Sequence, residues 1–150
     1  MTDRKRWEQK LDELIRQKVR VRDEFQCQRC HRRIGSLQVS HYYDRVHRGT
    51  RWDLKNVDLM CGGCHMRIEH DKQGWYTDFK RAQLGERELR NLRTRAEAVA
   101  KFSIIDLQWL YQKLQREEVT RMIDPIEEPK VDEGTPTEPV DTPPTPEEEA

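Results

Sequence analysis

The stretch that decides the fold is residues 27–70, which read CQRCHRRIGSLQVSHYYDRVHRGTRWDLKNVDLMCGGCHMRIEH. It contains all four cysteines of the chain, arranged as two Cys-x-x-Cys pairs. A two-residue gap lets both thiolates of a pair bind one ion, and two such pairs complete a tetrahedral zinc site. Because all four ligands are protein thiolates, this site is closed to substrate, and the zinc is structural. The predicted Zn²⁺ ligands are Cys27, Cys30, Cys61 and Cys64.

Two other interpretations of the cysteines fit the pattern less well. Disulfides require an oxidising compartment, whereas the sequence shows no secretory signal and the chain is expected to be cytoplasmic. Four unrelated buried thiols would not fall into two regular pairs. The chain also has no run of about eighteen apolar residues, so no membrane-spanning segment is expected.

Between the two cysteine pairs, the sequence predicts a β-hairpin followed by a helix. Residues 37–41 (LQVSH) alternate apolar and polar side chains, which indicates a short strand ending at His41. A basic loop follows, and Asn56 then precedes a second apolar run at 57–60. A helix is expected to begin near Cys64. These elements make a small ββα unit.

Three polar residues are spaced across this unit as His, fourteen residues, Asn, eight residues, His. Their pattern between two zinc-binding pairs resembles the zinc-bearing form of the His-Asn-His (HNH, ββα-metal) endonuclease superfamily. That resemblance implies a general-base His, an Asn that holds the loop orienting it, and a last His that binds one catalytic Mg²⁺ or Mn²⁺. Carried over by position, His41 is the base, Asn56 the orienting residue and His65 a metal ligand.

Two further positions of the superfamily can be compared. Many members have a second metal ligand one helical turn after the last His. Glu69 occupies that position here, on the same helix face as His65, whereas His70 is rotated away. Many members also have an acidic residue or His before the base. This chain has Ser40 there, which would reach the metal through a bridging water.

A longer set of features, over about residues 25–120, resembles the Rap (NinG) recombination endonucleases of lambda-like phages. That family acts on branched DNA such as Holliday junctions and D-loops, which implies a phage protein working in the bacterial host cytoplasm. Where the family tends to have Gly and Asn, this chain has Ser40 and His65. The shared features are Ser40-His41-Tyr42, Arg51-Trp52-Asp53, Cys61-x-x-Cys64, Gly74-Trp75-Tyr76, Leu84-Gly85 with Leu89, and Lys101 to Leu107.

Two alternative functions remain open at this point. One is a general duplex-DNA nuclease of restriction or genome packaging. The other is a zinc-ribbon DNA-binding module without catalysis, for which Ser40 is the hint. Metal-dependent cleavage of DNA distinguishes the nucleases from the binding module.

The net charge of zero conceals an uneven distribution. Residues 1–123 carry 27 Lys and Arg against 18 Asp and Glu, a balance of +9, and residues 124–150 carry a balance of −9. A basic folded part is typical of proteins that bind a phosphate backbone. Trp52 is interpreted as a core residue. The predicted DNA contacts lie in the loop after the first strand and are Arg45, Arg48, Arg51 and Lys55.

The predicted fold is α+β: a small zinc-stapled ββα-metal core flanked by helices, with a disordered acidic tail. All seven prolines lie in that tail, which either solubilises the chain, competes with DNA for the basic surface or docks a partner protein. The helix predicted at 103–121 supplies core contacts or the interface of a homodimer. The predicted segments are an amphipathic helix at 1–22, the nuclease core at 23–72, a helical region at 73–123 with a break at Gly85, and the tail at 124–150.

Overall fold

A computed structural model of the chain describes residues 1–70 and 72–117. These residues form an α+β fold with four α-helices and one antiparallel two-stranded sheet, as predicted. The tail at 124–150 and the end of the helix predicted at 103–121 lie outside the described residues. The elements are α1 Asp3–Arg22, β1 Leu37–His41, β2 Val57–Cys61, α2 Gly62–His70, α3 Thr77–Glu97 and α4 Ile104–Arg116, with short helical turns at Leu54–Asn56 and Lys72–Tyr76.

The hairpin of β1 and β2 lies at the centre of the molecule. His41 pairs with Val57 and Ser40 pairs with Asp58 in the antiparallel register. All five residues of β2 are buried, so both faces of this strand are covered. Val57 contributes to one hydrophobic cluster and Met60 to another. The strand therefore separates two small cores.

The larger core packs α1 and α4 against one face of the hairpin. Leu107 and Leu114 of α4 are buried in this core, which confirms the expected core contacts of this helix. Trp52, predicted as a core residue, is 4% exposed. Val99 is 89% exposed because α3 ends at Glu97. The buried members are Leu11, Ile15 and Val19 of α1, Trp52, Val57 and Leu59 of the hairpin region, and Leu107 and Leu114 of α4.

The smaller core surrounds the cysteines on the other side of the hairpin. Ile68 of α2 and Tyr76 pack there with Met60 and three of the four cysteines. So few apolar side chains bury little surface, and a core of this size needs an added constraint to be stable. The expected zinc site lies within this smaller core and would supply the added constraint.

A buried ionic network joins α1, β2 and α3. Lys80 Nζ lies 2.6 Å from Asp58 Oδ2, and both side chains are fully buried. Arg22 donates to the Asp23 carboxylate at 2.7 Å and lies 3.4 Å from Asp58. The Tyr76 hydroxyl donates to Asp58 at 2.9 Å. Two cations and two carboxylates balance one another, and burial lowers the pKa of Lys80 despite the Asp58 charge.

Local sequence determines two further features of the helices. Gly85 interrupts α3 with φ +75°, a conformation that favours glycine, which confirms the predicted break. At the start of α4, the Ser103 hydroxyl accepts from Asp106 N–H and the Asp106 carboxylate accepts from Ser103 N–H. This reciprocal capping confirms the predicted helix start.

Candidate metal centre and active site

The four cysteines converge on one point. Their sulfur atoms all lie within 4.8 Å of one another, and Cys30 Sγ is 3.7 Å from Cys61 Sγ. None of the four forms a disulfide. A tetrahedral Zn²⁺ with sulfur ligands at about 2.3 Å requires sulfur–sulfur separations of about 3.8 Å. The cluster can therefore hold a metal ion such as zinc.

Tight backbone turns and one helix terminus build this cluster. His31 N–H donates to Cys27 O at 2.8 Å, which closes the turn between the first two cysteines. Cys61 ends β2, and Cys64 lies in the first turn of α2. The backbone N–H of Cys64 lowers the pKa of the Cys61 thiol to about 7, whereas burial raises the pKa of the Cys64 thiol to about 12. Without a cation, four ionised thiolates would repel one another, and a bound metal favours their ionised form.

His41 ends β1 and has a defined tautomer. Its Nε2 lies 3.1 Å from the carbonyl oxygen of Arg51. Because a carbonyl only accepts, Nε2 carries the proton, and the neutral ring keeps its lone pair on Nδ1. Burial lowers the pKa of His41, and the charges of Arg45 and Arg51 lower it further. The side chain is therefore neutral near pH 7, with Nδ1 able to accept a proton.

Asn56 is fully buried and ties together the two ends of the loop that follows β1. Its Oδ1 accepts from Tyr43 N–H at 2.8 Å. Its Nδ2 donates to Tyr43 O at 2.9 Å and to Thr50 O at 3.1 Å. Arg51 follows directly after Thr50. Asn56 thus fixes the segment whose carbonyl holds His41, which is the type of contact expected of an orienting residue.

Asp12 of α1 holds the same loop from the other side. It accepts from Arg51 Nη2 and from Trp52 Nε1, both at 2.8 Å, and it also pairs with Arg45. Burial alone would raise the pKa of Asp12, but the hydrogen bonds from Arg51 and Trp52 bring it below its usual value. Sequence reasoning missed this residue. The available signal was an acidic side chain directly after Leu11 on the inner side of an amphipathic helix.

The loop cations predicted to contact DNA all have carboxylate partners within the chain. Neutralisation by α1 and α3 leaves these side chains less available to a phosphate in the free protein, and their role in DNA binding stays a prediction. The ion pairs are Arg45 with Asp12, Arg48 with Glu8 at 2.6 Å, Arg51 with Asp12 at 2.8 Å, and Lys55 with Glu88 at 3.0 Å.

Two polar side-chain atoms are buried without a hydrogen-bond partner among the described residues. They are Ser40 Oγ and His65 Nδ1. Such atoms are costly unless an ion or water binds them, so both fit a role in binding one. Glu69 is exposed on α2, one turn after His65. Apart from the four cysteines, no three His, Cys, Asp or Glu side chains of the described chain lie close enough to share an ion. The catalytic metal at His65 and Glu69 therefore stays a prediction.

A cavity of about 300 Å³ opens between α1 and β1 beside His41. Three arginines line it, Arg16, Arg45 and Arg51, together with Asp12. The excess of cations suits an anionic group next to the imidazole.

No known protein family, no curated protein and no solved structure matches the chain. Within the described residues, no helix combines the length and apolar character needed to cross a membrane. Any assignment of function therefore depends on the chemistry of the site and on the resemblance of its motifs.

Proposed function

We propose that the chain is a metal-dependent DNA endonuclease that hydrolyses phosphodiester bonds. One observation carries the proposal. His41 donates through Nε2 to the carbonyl of Arg51, and Asn56 binds the carbonyl of the preceding residue, Thr50. This leaves His41 Nδ1 as a base beside a cation-lined cavity. A histidine fixed in one tautomer and kept neutral has the properties required of a general base.

In the proposed reaction, His41 Nδ1 takes a proton from water while the water oxygen attacks phosphorus and the bond between phosphorus and the leaving sugar oxygen breaks. The leaving oxygen takes up a proton from solvent, and His41 returns its proton to solvent. The Arg51 carbonyl accepts from Nε2 throughout and stabilises the imidazolium that forms. Arg51 and Arg45 line the adjacent cavity and would bind the phosphate there in exchange for their ion pairs with Asp12. A divalent Mg²⁺ or Mn²⁺ held by His65 and Glu69 would supply positive charge against the charge developing on the phosphate.

The proposed substrate is branched DNA of recombination, such as Holliday junctions and D-loops, and rests on the resemblance to the Rap family. Cutting two strands of a junction suits a homodimer. The buried side of α4, which includes Leu107 and Leu114, packs on α1 and cannot form a dimer interface. Ile105 and Trp109 on the outer side of α4 are 74% and 61% exposed and are the candidate dimer contacts.

Cleavage of labelled DNA by the zinc-loaded full chain tests the proposal. The substrates are a four-way junction, a flapped branch and a linear duplex, each in Mg²⁺ and in Mn²⁺. We expect cleavage of the branched substrates and its loss in His41→Ala, with zinc content and circular dichroism unchanged. Glu69→Ala should also lose activity, whereas His70→Ala, a matched change one residue further, should retain it. Full activity of His41→Ala would refute the assignment of the base.

A second function is favoured by Ser40, which stands where superfamily members place a metal-binding carboxylate or His. The chain would then be a zinc-dependent DNA-binding module without catalysis. Tight binding with no cleavage in either metal would support this alternative. Equal cutting of branched and linear DNA would instead indicate a general duplex nuclease.

A further inference from the structure

A second cationic surface lies outside the loop that follows β1. It consists of Arg29, Arg32 and Arg33 in the turn that carries the first cysteine pair, and Arg67 on α2; we call it the knuckle surface. Arg32, Arg33 and Arg67 are exposed. Residues 25–43 and 59–68 contain no Asp or Glu. These two segments, which supply the knuckle surface, therefore contain no carboxylate that could neutralise its arginines.

The arginines of the knuckle surface differ from the loop cations in having no carboxylate partner in the described chain. Each loop cation lies in an ion pair with α1 or α3. A paired cation must give up its carboxylate before it gains a phosphate, so part of its interaction energy is lost. Unpaired arginines exchange only water and small counterions, and the release of those counterions drives binding to a polyanion.

The net negative charge of the metal centre is too small to neutralise all four arginines of the knuckle surface. Four thiolates and one Zn²⁺ have a net charge of about −2. The four arginines of the knuckle surface carry one positive charge each. When the negative charge of the metal centre is compensated, the knuckle surface therefore keeps an excess of positive charge that is available to an external partner.

Aromatic and apolar side chains lie among these arginines. The Arg29 guanidinium is 5.2 Å from the centroid of the Trp75 ring, and Trp75 stacks on Phe79 with centroids 4.9 Å apart. Ile34 and Met66 are 83% and 65% exposed. Nucleic acids offer both phosphates for arginines and base faces for apolar and aromatic groups, and unpaired bases at a branch are the most accessible.

We propose that the knuckle surface binds the phosphate backbone of DNA, next to the site proposed for cleavage. Arg67 belongs to α2, the helix that also carries the proposed metal ligand His65, although a two-residue offset places the two side chains on different sides of the helix. Arginine rather than lysine supplies all four charges, which suits bidentate contacts with phosphate. The inference rests on the proposed function for the identity of the ligand but makes its own prediction about which cations bind it.

The test measures binding of a fluorescent four-way junction and a linear duplex to the zinc-loaded full chain, over a series of NaCl concentrations without added divalent metal. The test variant is Arg32→Gln/Arg33→Gln. The matched control is Arg87→Gln/Arg90→Gln, which removes two exposed arginines from α3. We expect the test variant to bind about tenfold more weakly and to reduce the slope of log affinity against log salt by about 2. The control should change affinity by less than about threefold. Both variants should keep the zinc content and melting temperature of the parent.

Equal affinities for the two variants would overturn the knuckle surface, and cleavage of DNA by the parent in the same preparation would show that the proposed function still stands. If DNA binding requires Arg32 and Arg33 but the parent does not cleave DNA, the knuckle surface stands and the proposed nuclease function is wrong. If the parent binds vesicles of anionic lipid through Arg32 and Arg33 and does not bind DNA, the partner is a membrane surface and the inference is wrong.

Discussion

At the scale of single residues, the protonation state of His41 determines a pH dependence. Burial lowers its pKa from the usual 6.5, and the neutral ring is the form that accepts a proton. Cleavage should therefore persist as the pH falls below 6.5 and be lost only as the pH falls through the lowered pKa. The measurement is kcat/KM for cleavage over about pH 5 to 8.

A second variant checks the cause of this pH dependence. The Asp12 charge raises the pKa of His41 and opposes part of the effect of burial. Asp12→Asn should therefore move the acidic limb of the profile to still lower pH. An acidic limb at or above pH 6.5 in the parent would mean that His41 is not the titrating base.

Residue spacing predicts side chains that act through local geometry but not those that act through distant contacts. The four cysteines were identifiable because two residues separate the members of each pair, and the structure brings them together. Asp12 meets Arg51 across 39 positions, and Lys80 meets Asp58 across 22, so no local pattern reports either contact. The carboxylates that neutralise the loop cations were missed for the same reason.

At the scale of elements, α1 is part of the candidate site rather than a flanking helix. Asp12→Ala would leave the buried indole N–H of Trp52 without its acceptor and remove the partner of Arg51. We expect a loss of roughly 2–4 kcal/mol in the free energy of unfolding, measured by denaturant titration. Glu13→Ala is the matched control, because its exposed pair with Arg16 contributes little.

The stabilisation by Asp12 should also depend on pH. The folded-state pKa is lowered from 3.8, so the carboxylate contributes fully above that value and loses its contribution as the pH falls through the folded-state pKa. The difference between the parent and Asp12→Ala should therefore shrink in acid. A difference that is constant from neutral to strongly acidic pH would show that Asp12 acts through packing instead.

The contact between the loop after β1 and the end of α3 is another element-scale feature. A Cβ at Gly49 would overlap the carbonyl oxygen of Arg95. Gly49→Ala must therefore move loop or helix backbone, with an expected loss of about 1–3 kcal/mol in stability. Gly63→Ala is the control, because nothing lies within 4 Å of its added Cβ and alanine favours a helix. Equal thermal melting of the two variants would show that the loop adjusts without cost.

Amphipathic periodicity predicted the helices and the hairpin better than it predicted their ends. The helix predicted at 1–22 corresponds to α1, which begins at the Thr2 cap, and Gly85 marks the break in α3 as expected. Val99 continues the repeat of α3 in sequence but lies beyond the last helical residue, Glu97. The C-cap of α3 at Ala98 adopts an extended conformation, which the spacing of apolar residues does not specify.

At the scale of the whole molecule, stability should depend on the metal. The smaller core contains few buried side chains apart from cysteines, and β2 forms part of both cores. Removing zinc would therefore release the cysteine-bearing turn and the start of α2, and weaken the hairpin that supports the larger core. Since binding of a structural zinc contributes to folding directly, a strong chelator should lower the melting temperature by on the order of 10 °C or more. Zn²⁺ should restore it, and Mg²⁺ should not.

Cys27→Ser distinguishes loss of the metal from other effects of the chelator. This variant removes one of four ligands from a fully buried position, so it should melt near the temperature of the chelated parent and respond little to further chelation. Metal analysis should find one zinc in the parent and less in the variant. A parent that contains no zinc yet melts at the same temperature with and without chelator would show that hydrophobic packing alone stabilises the smaller core. The cysteine cluster would then require another explanation than a structural metal.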